Sequence, residues 1–388
     1  MWRHIASNAV TLLIVLLFMV GGIILWGRGQ YQASGPMSAA YCVEVPSGGS
    51  MRGVSERLEE DGVIASGAIF RMGADYSEKA GSLKAGSFLV PENASMEQIV
   101  DAITRGGAST CGVEVVYRVG VNRVGVQLRE LDPDTNQFVE RAEFNPAEET
   151  PPAIYEDRKA ATGTRFRVAL AEGVTSWQIV EGLKVMDVLE GTVETIPPEG
   201  SLAPDSYEVR VGDTREEVLA RMRAVQEERV ADAWDSRAAD LPIASPEELL
   251  ILASIIEKET GVAEERGQVA SVFVNRLNRG MRLQTDPTVI YGVTKGQGVL
   301  GRGLRQSELR AATPWNTYVI EGLPPTPIAN PGEASLVAAA QPLETPFVFF
   351  VADGTGGHAF AETLEEHNRN VAAWRRIEAE RANQSSGN

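Results

Sequence analysis

The longest apolar run of the chain lies near its N-terminus. Residues 9–26 contain no charged side chain, and the run closes with Trp26, followed by Arg28. About 18 residues are near the lower limit for a helix that crosses a bilayer, and an aromatic and a basic residue are typical of its interfacial end. A cleavable signal peptide usually has a shorter apolar stretch and a small-residue cleavage site. We therefore predict an uncleaved transmembrane anchor at 9–26, with residues 1–8 in the cytoplasm.

Beyond this run, two segments repeat the order strand, helix, strand, helix. In the first segment, residues 41–110, Ser95–Gln98 has the pattern of a capping box before the second helix. In the second segment, residues 164–240, Thr214–Glu217 has the same pattern before a long charged connector helix. Units of this order, with a glycine-containing turn after the first strand, resemble LysM-like glycan-binding modules. An unrelated small α+β unit is the alternative.

The remaining segments differ from these repeats in composition. Residues 27–40 are rich in small residues and predict a tether. Residues 111–163 alternate apolar and polar positions and then become proline-rich, which predicts a β-rich insertion followed by a loop. Residues 241–375 form the candidate catalytic domain, and 376–388 is expected to be a disordered tail. The fold class is therefore α+β, with an N-terminal transmembrane helix, small LysM-like units and a C-terminal mixed α+β domain.

One helix in the C-terminal segment carries the candidate chemistry. Ser245 as N-cap and Pro246 at the first position begin this helix, and Gly261 ends it. Glu257 lies in its last turn, on a stripe of small and apolar residues. Apolar neighbours and the negative end of the helix dipole favour a neutral carboxyl group, which a general acid requires. The alternative is an ion pair across a helix interface, and for Glu259 a helix-end ion pair is favoured over a helper role.

Four segments in this part of the chain resemble the endolytic murein transglycosylase (MltG, YceG-like) family. They follow in order as LASIIEKETGVAEERGQVASVFVNRL, MRLQTDPTVIYG, PWNTYVIEGLPPTPIANPG and FVFFVADGTGGHAF, the last followed by EHN. The resemblance covers roughly residues 245–375 and is looser for the anchor and the two repeats. It implies that the catalytic glutamate is the first of the EKE sequence, Glu257. The 111–163 extension is longer than the family layout leads us to expect.

The resemblance also implies a reaction. A lytic transglycosylase, a carbon–oxygen lyase, cleaves the MurNAc–GlcNAc β-1,4 bond of peptidoglycan without water. The acid protonates the leaving oxygen, and the resulting carboxylate takes the proton of the MurNAc 6-hydroxyl, which closes a 1,6-anhydro ring. One carboxyl group serves both steps. A hydrolytic muramidase in which Asp286 activates water, and a non-catalytic cell-wall-binding scaffold, are the alternatives.

Location and partners follow from the same resemblance. It implies a single-pass protein of the inner membrane with most of the chain in the periplasm, where it ends the growth of nascent glycan strands beside peptidoglycan synthases. No cofactor is expected.

Polar residues in two loop-like stretches are the candidate sugar-binding groups. They offer amide, hydroxyl, phenol and carboxylate groups suited to sugar hydroxyls and N-acetyl groups, and their alternative role is to cap turns. The assignment depends almost wholly on the resemblance. These residues are Gln284, Thr285, Asp286, Thr288, Asn316, Thr317 and Tyr318. His358, after a glycine-rich turn, is a further candidate, and its alternative is a place on a strand without a role in the cleft.

The charge of the chain and its few potential metal ligands argue against several classes of binding site. The formal net charge is −17, and a nucleic-acid partner is not expected because phosphate binding needs clustered Lys and Arg. Residues 276–310 nevertheless hold seven basic residues against two acidic ones, an island that would suit stem-peptide carboxylates unless these are scattered surface residues. Three histidines, one of them His4 beside the membrane, predict no three-histidine zinc site. Gly296–Gly301 matches GxGxxG but follows no strand, so no nucleotide loop is predicted.

The two cysteines lie at the edges of the first repeat. Cys42 opens its first strand, and Cys111 follows its second helix. A compact unit of this size can bring its ends together, which predicts a Cys42–Cys111 disulfide in an oxidising compartment. A pair of reduced structural thiols is the alternative.

Overall fold

A computed structural model describes residues 2–46, 48–105, 110–132, 135, 137–161 and 163–385. Its mixture of helices and small antiparallel sheets confirms the α+β class. The helices are α1 (Trp2–Gln32), α2 (Met51–Glu60), α3 (Gly67–Tyr76), α4 (Met96–Thr104), α5 (Ala153–Lys159), α6 (Ser176–Lys184), α7 (Arg215–Asp235), α8 (Pro246–Glu259), α9 (Arg266–Asn278), α10 (Asp286–Thr294), α11 (Gln306–Leu309), α12 (Glu333–Ala340) and α13 (Leu364–Ser385). The strands are β1 (Tyr41–Val45), β2 (Gly86–Val90), β3 (Val113–Val119), β4 (Val124–Asp132), β5 (Gln137–Phe144), β6 (Arg165–Leu170), β7 (Ser206–Val209), β8 (Phe349–Ala352) and β9 (His358–Ala361).

The chain forms two compact units. The first contains Met1–Val115, Gln127–Phe144 and Pro151–Arg165, and the second contains Val116–Val126, Asn145–Thr150 and Phe166–Asn388. A five-stranded sheet has the order β5-β4-β3-β6-β7. The predicted second repeat and the predicted catalytic domain therefore lie together in the second compact unit.

Helix α1 contains the apolar run. From Thr11 to Gln32 it is long and apolar enough to cross a membrane by length and composition, and its apolar side chains from Leu12 to Trp26 are exposed. The helix continues through the first part of the predicted tether, so the boundary expected at residue 26 is placed too early. A helix continues past the apolar run because nothing in Gly27–Gln32 prevents its backbone hydrogen bonding.

The rest of the predicted tether is anchored to the first unit. Tyr31 and Met37 belong to the buried core of that unit, and a Cβ at Gly73 would lie 2.2 Å from the Tyr31 ring. The backbone N–H of Asn93 donates to the carbonyl of Met37 at 2.9 Å. Residues 27–40 are therefore not a free linker. Although small residues predominate in this segment, its apolar side chains Tyr31 and Met37 pack in the core of the first unit.

The first repeat has one more helix than its pattern predicts. Strands β1 and β2 pair antiparallel, with Tyr41 opposite Val90, and the Ser95–Gln98 capping box is present at α4. Helix α3 lies between them and was missed, because its two glycines weaken the helical pattern although Ser66 caps it. The resemblance of this unit to a LysM module stays a prediction.

The insertion between the repeats contains strands and a helix. Strands β3, β4 and β5 occupy its β-rich part. The stretch expected to be a loop contains α5, which buries Tyr155 edge-on against Phe144 with ring centroids 5.1 Å apart. Pro152 stands at the N-cap of α5, where the missing N–H of a proline costs no helical hydrogen bond.

The second repeat has the predicted element order. Strands β6 and β7 pair antiparallel, with Phe166 opposite Val209, and the capping boxes at Thr175 and Thr214 begin α6 and α7. At the C-terminus, α13 continues to Ser385. The disordered tail predicted at 376–388 is therefore wrong up to Ser385, and its last three residues lie outside the described part of the chain.

The disulfide joins Cys42 to Cys111 in the first unit, across 69 residues. In the chain-entropy account, closing a loop of this length stabilises a fold by about 4 kcal/mol. We expect Cys42→Ala, Cys111→Ala and the double variant to lose the same amount of unfolding free energy in urea titrations, since each removes the same crosslink. Labelling of both thiols in the native, unreduced protein would contradict the bond.

Candidate active site

Helix α8 is the buried centre of the second unit. Ser245 accepts a hydrogen bond from the backbone N–H of Glu248 at 3.3 Å, and Pro246 occupies the first helical position. Seven of the residues that follow are buried, and Ser254 Oγ among them accepts from the Ile328 N–H at 3.0 Å. Burial on all sides fixes the rotation of the helix, so the directions of its last side chains are fixed as well.

The last turn of α8 carries two carboxyl groups on different sides. Glu257 and Glu259 are two positions apart, which corresponds to about 200° around a helix. Glu257 faces α12 and the turn between β6 and α6, whereas Glu259 faces the loop before α10. The two glutamates of the EKE sequence therefore have separate surroundings.

Glu257 binds the start of α12. Its Oε2 accepts hydrogen bonds from the Gly332 N–H at 3.0 Å and from Ser335 Oγ at 2.7 Å. Gly332 is the N-cap of α12 and Ser335 is fully buried. A carboxylate at this position satisfies free N-terminal donors and interacts favourably with the positive end of the helix dipole.

The surroundings of Glu257 are closely packed and contain other charged groups. A Cβ at Gly332 would lie 1.8 Å from Glu172 Oε1, so a larger residue there would displace the Glu172 side chain. Desolvation and the nearby Glu257 carboxylate raise the pKa of Glu172. Lys258 donates to the Gly173 carbonyl at 3.1 Å, and burial lowers its pKa. Glu257 thus connects α8 to α12 and to the turn between β6 and α6.

Asn330 forms further hydrogen bonds between the same elements. It is fully buried, and its side-chain amide donates to the Val174 carbonyl at 3.0 Å while its Oδ1 accepts from the Leu202 N–H at 3.0 Å. Its backbone N–H also donates to the Val174 carbonyl, at 2.9 Å, and its carbonyl accepts from Gly173. The IANPG segment therefore fastens α12 to the second repeat.

Glu259 has a different set of neighbours. Its Oε1 accepts from the Thr285 hydroxyl. Burial raises the pKa of Glu259; Thr285 opposes this rise, and the charge of Asp286 adds to it. A buried carboxyl group that keeps its proton above the usual range is what a general acid needs near neutral pH.

A cavity of about 250 Å³ opens beside Glu259. Its lining combines a carboxyl group, an imidazole, a guanidinium, an indole and the glycines of the turn between β8 and β9. The side chains in question are Glu259, His358, Trp374 and Arg381.

Four of the predicted sugar-binding side chains are buried and bonded internally. The Thr288 hydroxyl donates to the Thr285 carbonyl at 2.7 Å and lies 2.8 Å from Thr317 Oγ1. Asn316 donates to three backbone carbonyls, including that of Ala311 at 2.7 Å. All four are at most 2% exposed. They hold the loop before α10 against the segment at 316–318, which is the turn-capping alternative, and through Thr285 they position Glu259.

The other predicted binding residues are accessible or partly so. Gln284 is exposed and has a left-handed backbone, with φ of 49°. Asp286 is exposed and accepts from the Tyr318 hydroxyl at 2.7 Å, and burial raises the pKa of Tyr318. His358 lies in the cavity lining, where its Nδ1 is 2.8 Å from Glu265. Their roles in binding stay predictions.

The predicted basic island does not act as one surface. Arg276 is 7% exposed and donates to the carbonyls of Leu283 and Val348 at 2.6 and 2.7 Å. Arg302 pairs with Glu308, and Lys295 lies 3.6 Å over the Trp315 ring. Arg276 is therefore structural: it holds the loop that carries Thr285.

Sequence reasoning missed three residues around the cavity. Glu265 orients His358, and Trp374 and Arg381 come from α13. The AEERG stretch and the arginines after EHN gave no periodic or motif signal that could have placed them near Glu259. Among the described residues, no group of three or more His, Cys, Asp or Glu could hold a metal ion.

Comparisons with known proteins agree on one family. The model of the YceG-like family matches residues 43–373. A protein named endolytic murein transglycosylase from Bacillus subtilis is 27% identical over 352 residues, which are 90% of this chain and 89% of the relative. One of the same name from Streptococcus pneumoniae is 28% identical over 337 residues, 85% of this chain and 57% of the relative. The crystal structure of a YceG-like protein from Listeria monocytogenes is 26% identical, covers 85% of this chain and 98% of its own, and superposes with a TM-score of 0.46.

The raised pKa of Glu259 predicts a pH-dependent stability difference. An unfolded glutamate titrates near 4.3, so between that value and the higher folded pKa the folded state holds the extra proton. The stabilising contribution of Glu259 is therefore present at low pH and is lost as the pH rises through this window. We expect Glu259→Gln, which cannot ionise, to melt above wild type at pH 7.5 and close to it at pH 4. Exposed Glu264→Gln is the matched control, and an equal offset at both pH values would contradict the burial of a titrating carboxyl group.

Proposed function

The chain belongs to the YceG-like family, and from this premise we propose that it is a murein transglycosylase whose acid/base is Glu259. The observation that carries the proposal is the buried Glu259 carboxyl group, which accepts from Thr285 and lies in the wall of the cavity. The two curated relatives are named endolytic murein transglycosylases, which supports peptidoglycan as the substrate. The bond cut is the MurNAc–GlcNAc β-1,4 linkage.

The proposed reaction uses one carboxyl group twice. Neutral Glu259 gives its proton to the glycosidic oxygen as the C1–O4 bond breaks, and the GlcNAc 4-hydroxyl leaves. The Glu259 carboxylate then takes the proton of the MurNAc 6-hydroxyl while O6 forms a bond to C1. The product is a 1,6-anhydro ring, no water is consumed, and Glu259 returns to its neutral form. The raised pKa supports the first step, and the Thr285 hydroxyl stabilises the carboxylate in the second.

The assignment to Glu259 departs from the sequence-based prediction of Glu257. The Oε2 of Glu257 is engaged by Gly332 and Ser335 at the start of α12. Moving a proton at that carboxylate would disturb the N-terminus of a buried helix. We therefore assign Glu257 a positioning role. The helix-end ion pair predicted for Glu259 is not among the ion pairs of the described residues; its hydrogen-bond partner is the Thr285 hydroxyl group.

Hydrolysis is the second candidate reaction. The Asp286 charge contributes to the raised pKa of Glu259, and Asp286 directly follows Thr285, which donates to Glu259, so a two-carboxylate mechanism with an activated water is the alternative. The Tyr318 hydroxyl already donates to Asp286, which weakens Asp286 as a base. We therefore favour the lyase, and the product decides between the two reactions.

The cellular setting is part of the same proposal. Helix α1 would anchor the chain in the inner membrane and leave the rest in the periplasm, where the disulfide forms. There the enzyme would cut nascent strands next to peptidoglycan synthases and so end their elongation.

Paired variants test the catalytic assignment. We expect Glu259→Gln to lower the release of anhydro-muropeptides by about two to four orders of magnitude, because it removes the transferable proton. Glu257→Gln should stay within about tenfold of wild type, since its amide oxygen can still accept from Gly332 and Ser335. Mass spectrometry of digests of purified peptidoglycan gives both rates.

The opposite pattern would return the acid/base to Glu257. Reducing-end products, one water heavier than anhydro products, would establish hydrolysis instead. If the wild-type protein binds strands without cutting them, a non-catalytic cell-wall-binding scaffold is the remaining hypothesis for its function.

Topology is tested separately. We expect a periplasmic reporter fused after Asn388 to be active, and the membrane-bound chain to retain Met1–Trp26, because the apolar part of α1 is uncleaved. Protein sequencing that finds an N-terminus near residue 35 in the membrane-free fraction would exclude the anchor.

A further inference from the structure

Helix α13 continues beyond the part of the chain that matches the family. The match ends at residue 373, and α13 ends at Ser385. Trp374, Ile377 and Arg381 are spaced i, i+3 and i+7, so they share one face of the helix. This face packs against the turn between β8 and β9: a Cβ at Gly354 would lie 2.9 Å from Ile377 Cδ1 and 3.5 Å from the Trp374 ring.

The turn that α13 contacts is fixed by its own hydrogen bonds. Asp353 accepts from the Thr355 N–H at 2.7 Å, and its backbone N–H donates to the Gly357 carbonyl at 3.0 Å. Gly354 has φ of 88°, a conformation that favours glycine. The Arg381 guanidinium donates to the Gly354 carbonyl and lies 5.9 Å over the Trp374 ring. The indole and the guanidinium are therefore held together on a rigid wall.

This wall forms one side of the cavity that Glu259 borders. The charged and titratable side chains in its lining are Glu259, His358 and Arg381, and Glu265 holds His358 from behind. Burial keeps Glu259 neutral over a wider pH range, which reduces repulsion of an anion. Arg381 is thus the permanent positive charge of the described lining, and the carboxylate of Asp353, which accepts from Thr355, is not part of that lining.

Each part of the wall suits one part of a sugar that carries an acid. The face of an indole packs against the apolar face of a pyranose ring, and glycines allow a ring to approach the backbone closely. A guanidinium binds carboxylates through paired, planar hydrogen bonds. A neutral sugar would leave the charge of Arg381 without a counterpart.

We propose that Trp374 and Arg381 form a subsite for a carboxylate-bearing sugar unit of the glycan, with Arg381 binding the carboxylate. In strands that carry peptide stems, the lactyl group is in amide linkage to the stem, so the carboxylate belongs to the stem; where the stem has been removed, it belongs to the lactyl group itself. The proposal rests on the proposed function, because it describes how the same cavity binds its substrate.

Arg381→Gln tests this subsite in the full-length protein in detergent. We expect KM for purified glycan strands to rise about fivefold, more than kcat falls, which matches the modest energy of an accessible ion pair. Arg376→Gln is the matched control, because Arg376 is exposed on the same helix and lies outside the cavity lining. It removes the same charge and should leave KM unchanged.

Two treated substrates identify the carboxylate. Strands amidated with carbodiimide and ammonia should abolish the difference between Arg381→Gln and wild type. Amidase-treated strands, which lack peptide stems and expose lactyl carboxylates, keep the difference if Arg381 can bind a carboxylate at the lactyl position and lose it if Arg381 binds only a carboxylate of the stem. Equal KM values for Arg381→Gln and Arg376→Gln on native strands, or a difference that survives amidation, would overturn the proposal.

A binding measurement separates this proposal from the proposed function. If wild-type protein cuts strands and Arg381→Gln cuts them with the same KM, the subsite alone is refuted. Cosedimentation with strands that depends on Arg381, in protein that releases no products, would refute the transglycosylase and support the subsite.

Discussion

The burial of α8 is the constraint on which the candidate site depends. Seven of its fourteen residues are buried, so the helix can neither rotate nor slide without opening the core of the second unit. Its last turn consequently directs Glu257 and Glu259 to opposite sides. One carboxyl group then organises the protein and the other is left facing a cavity.

The side occupied by Glu257 explains why the second repeat and the C-terminal segment form one compact unit. Gly332 and Ser335 at the start of α12 donate to Glu257, while Asn330 bonds the turn between β6 and α6 through both its backbone and its side chain. Buried polar groups of this kind must be bonded completely, because an unpaired one would be costly. The hydrogen bonds of Glu257 and Asn330 therefore fix the position of α8 relative to the second repeat.

The side occupied by Glu259 depends on a different network. Buried Arg276 supports the loop before α10 through the Leu283 carbonyl, and the hydroxyl groups of Thr288 and Thr317 hold that loop in place. The Thr285 hydroxyl is then directed at Glu259. Substitution within this network would move Thr285 and change the environment of the acid without touching the substrate. Three residues expected to bind sugar therefore help to set the surroundings of the proposed acid/base.

Sequence patterns alone determined the elements whose signals are local. The apolar run, the capping boxes at Ser95 and Thr214 and the start of α8 at Ser245 each depend on neighbouring residues, which is why the fold class followed from them. Helix α3 and the C-terminal part of α13 were not predicted. Glycines weaken the helical pattern of α3, the periodicity of the tail is weak, and tertiary contacts stabilise both helices. The family resemblance located the EKE sequence on its helix.

Only the tertiary structure distinguishes the surroundings of the two glutamates of that sequence. Both lie in the last turn of one helix and share the same local pattern, so the sequence favoured the one on the apolar stripe. That stripe is where a helix packs, and packing gave Glu257 fixed partners at α12. The environment of Glu259 is assembled from Thr285, His358 and α13, residues 26 to more than 100 positions away. A pKa and a cavity arise from such distant contacts, which no local pattern encodes.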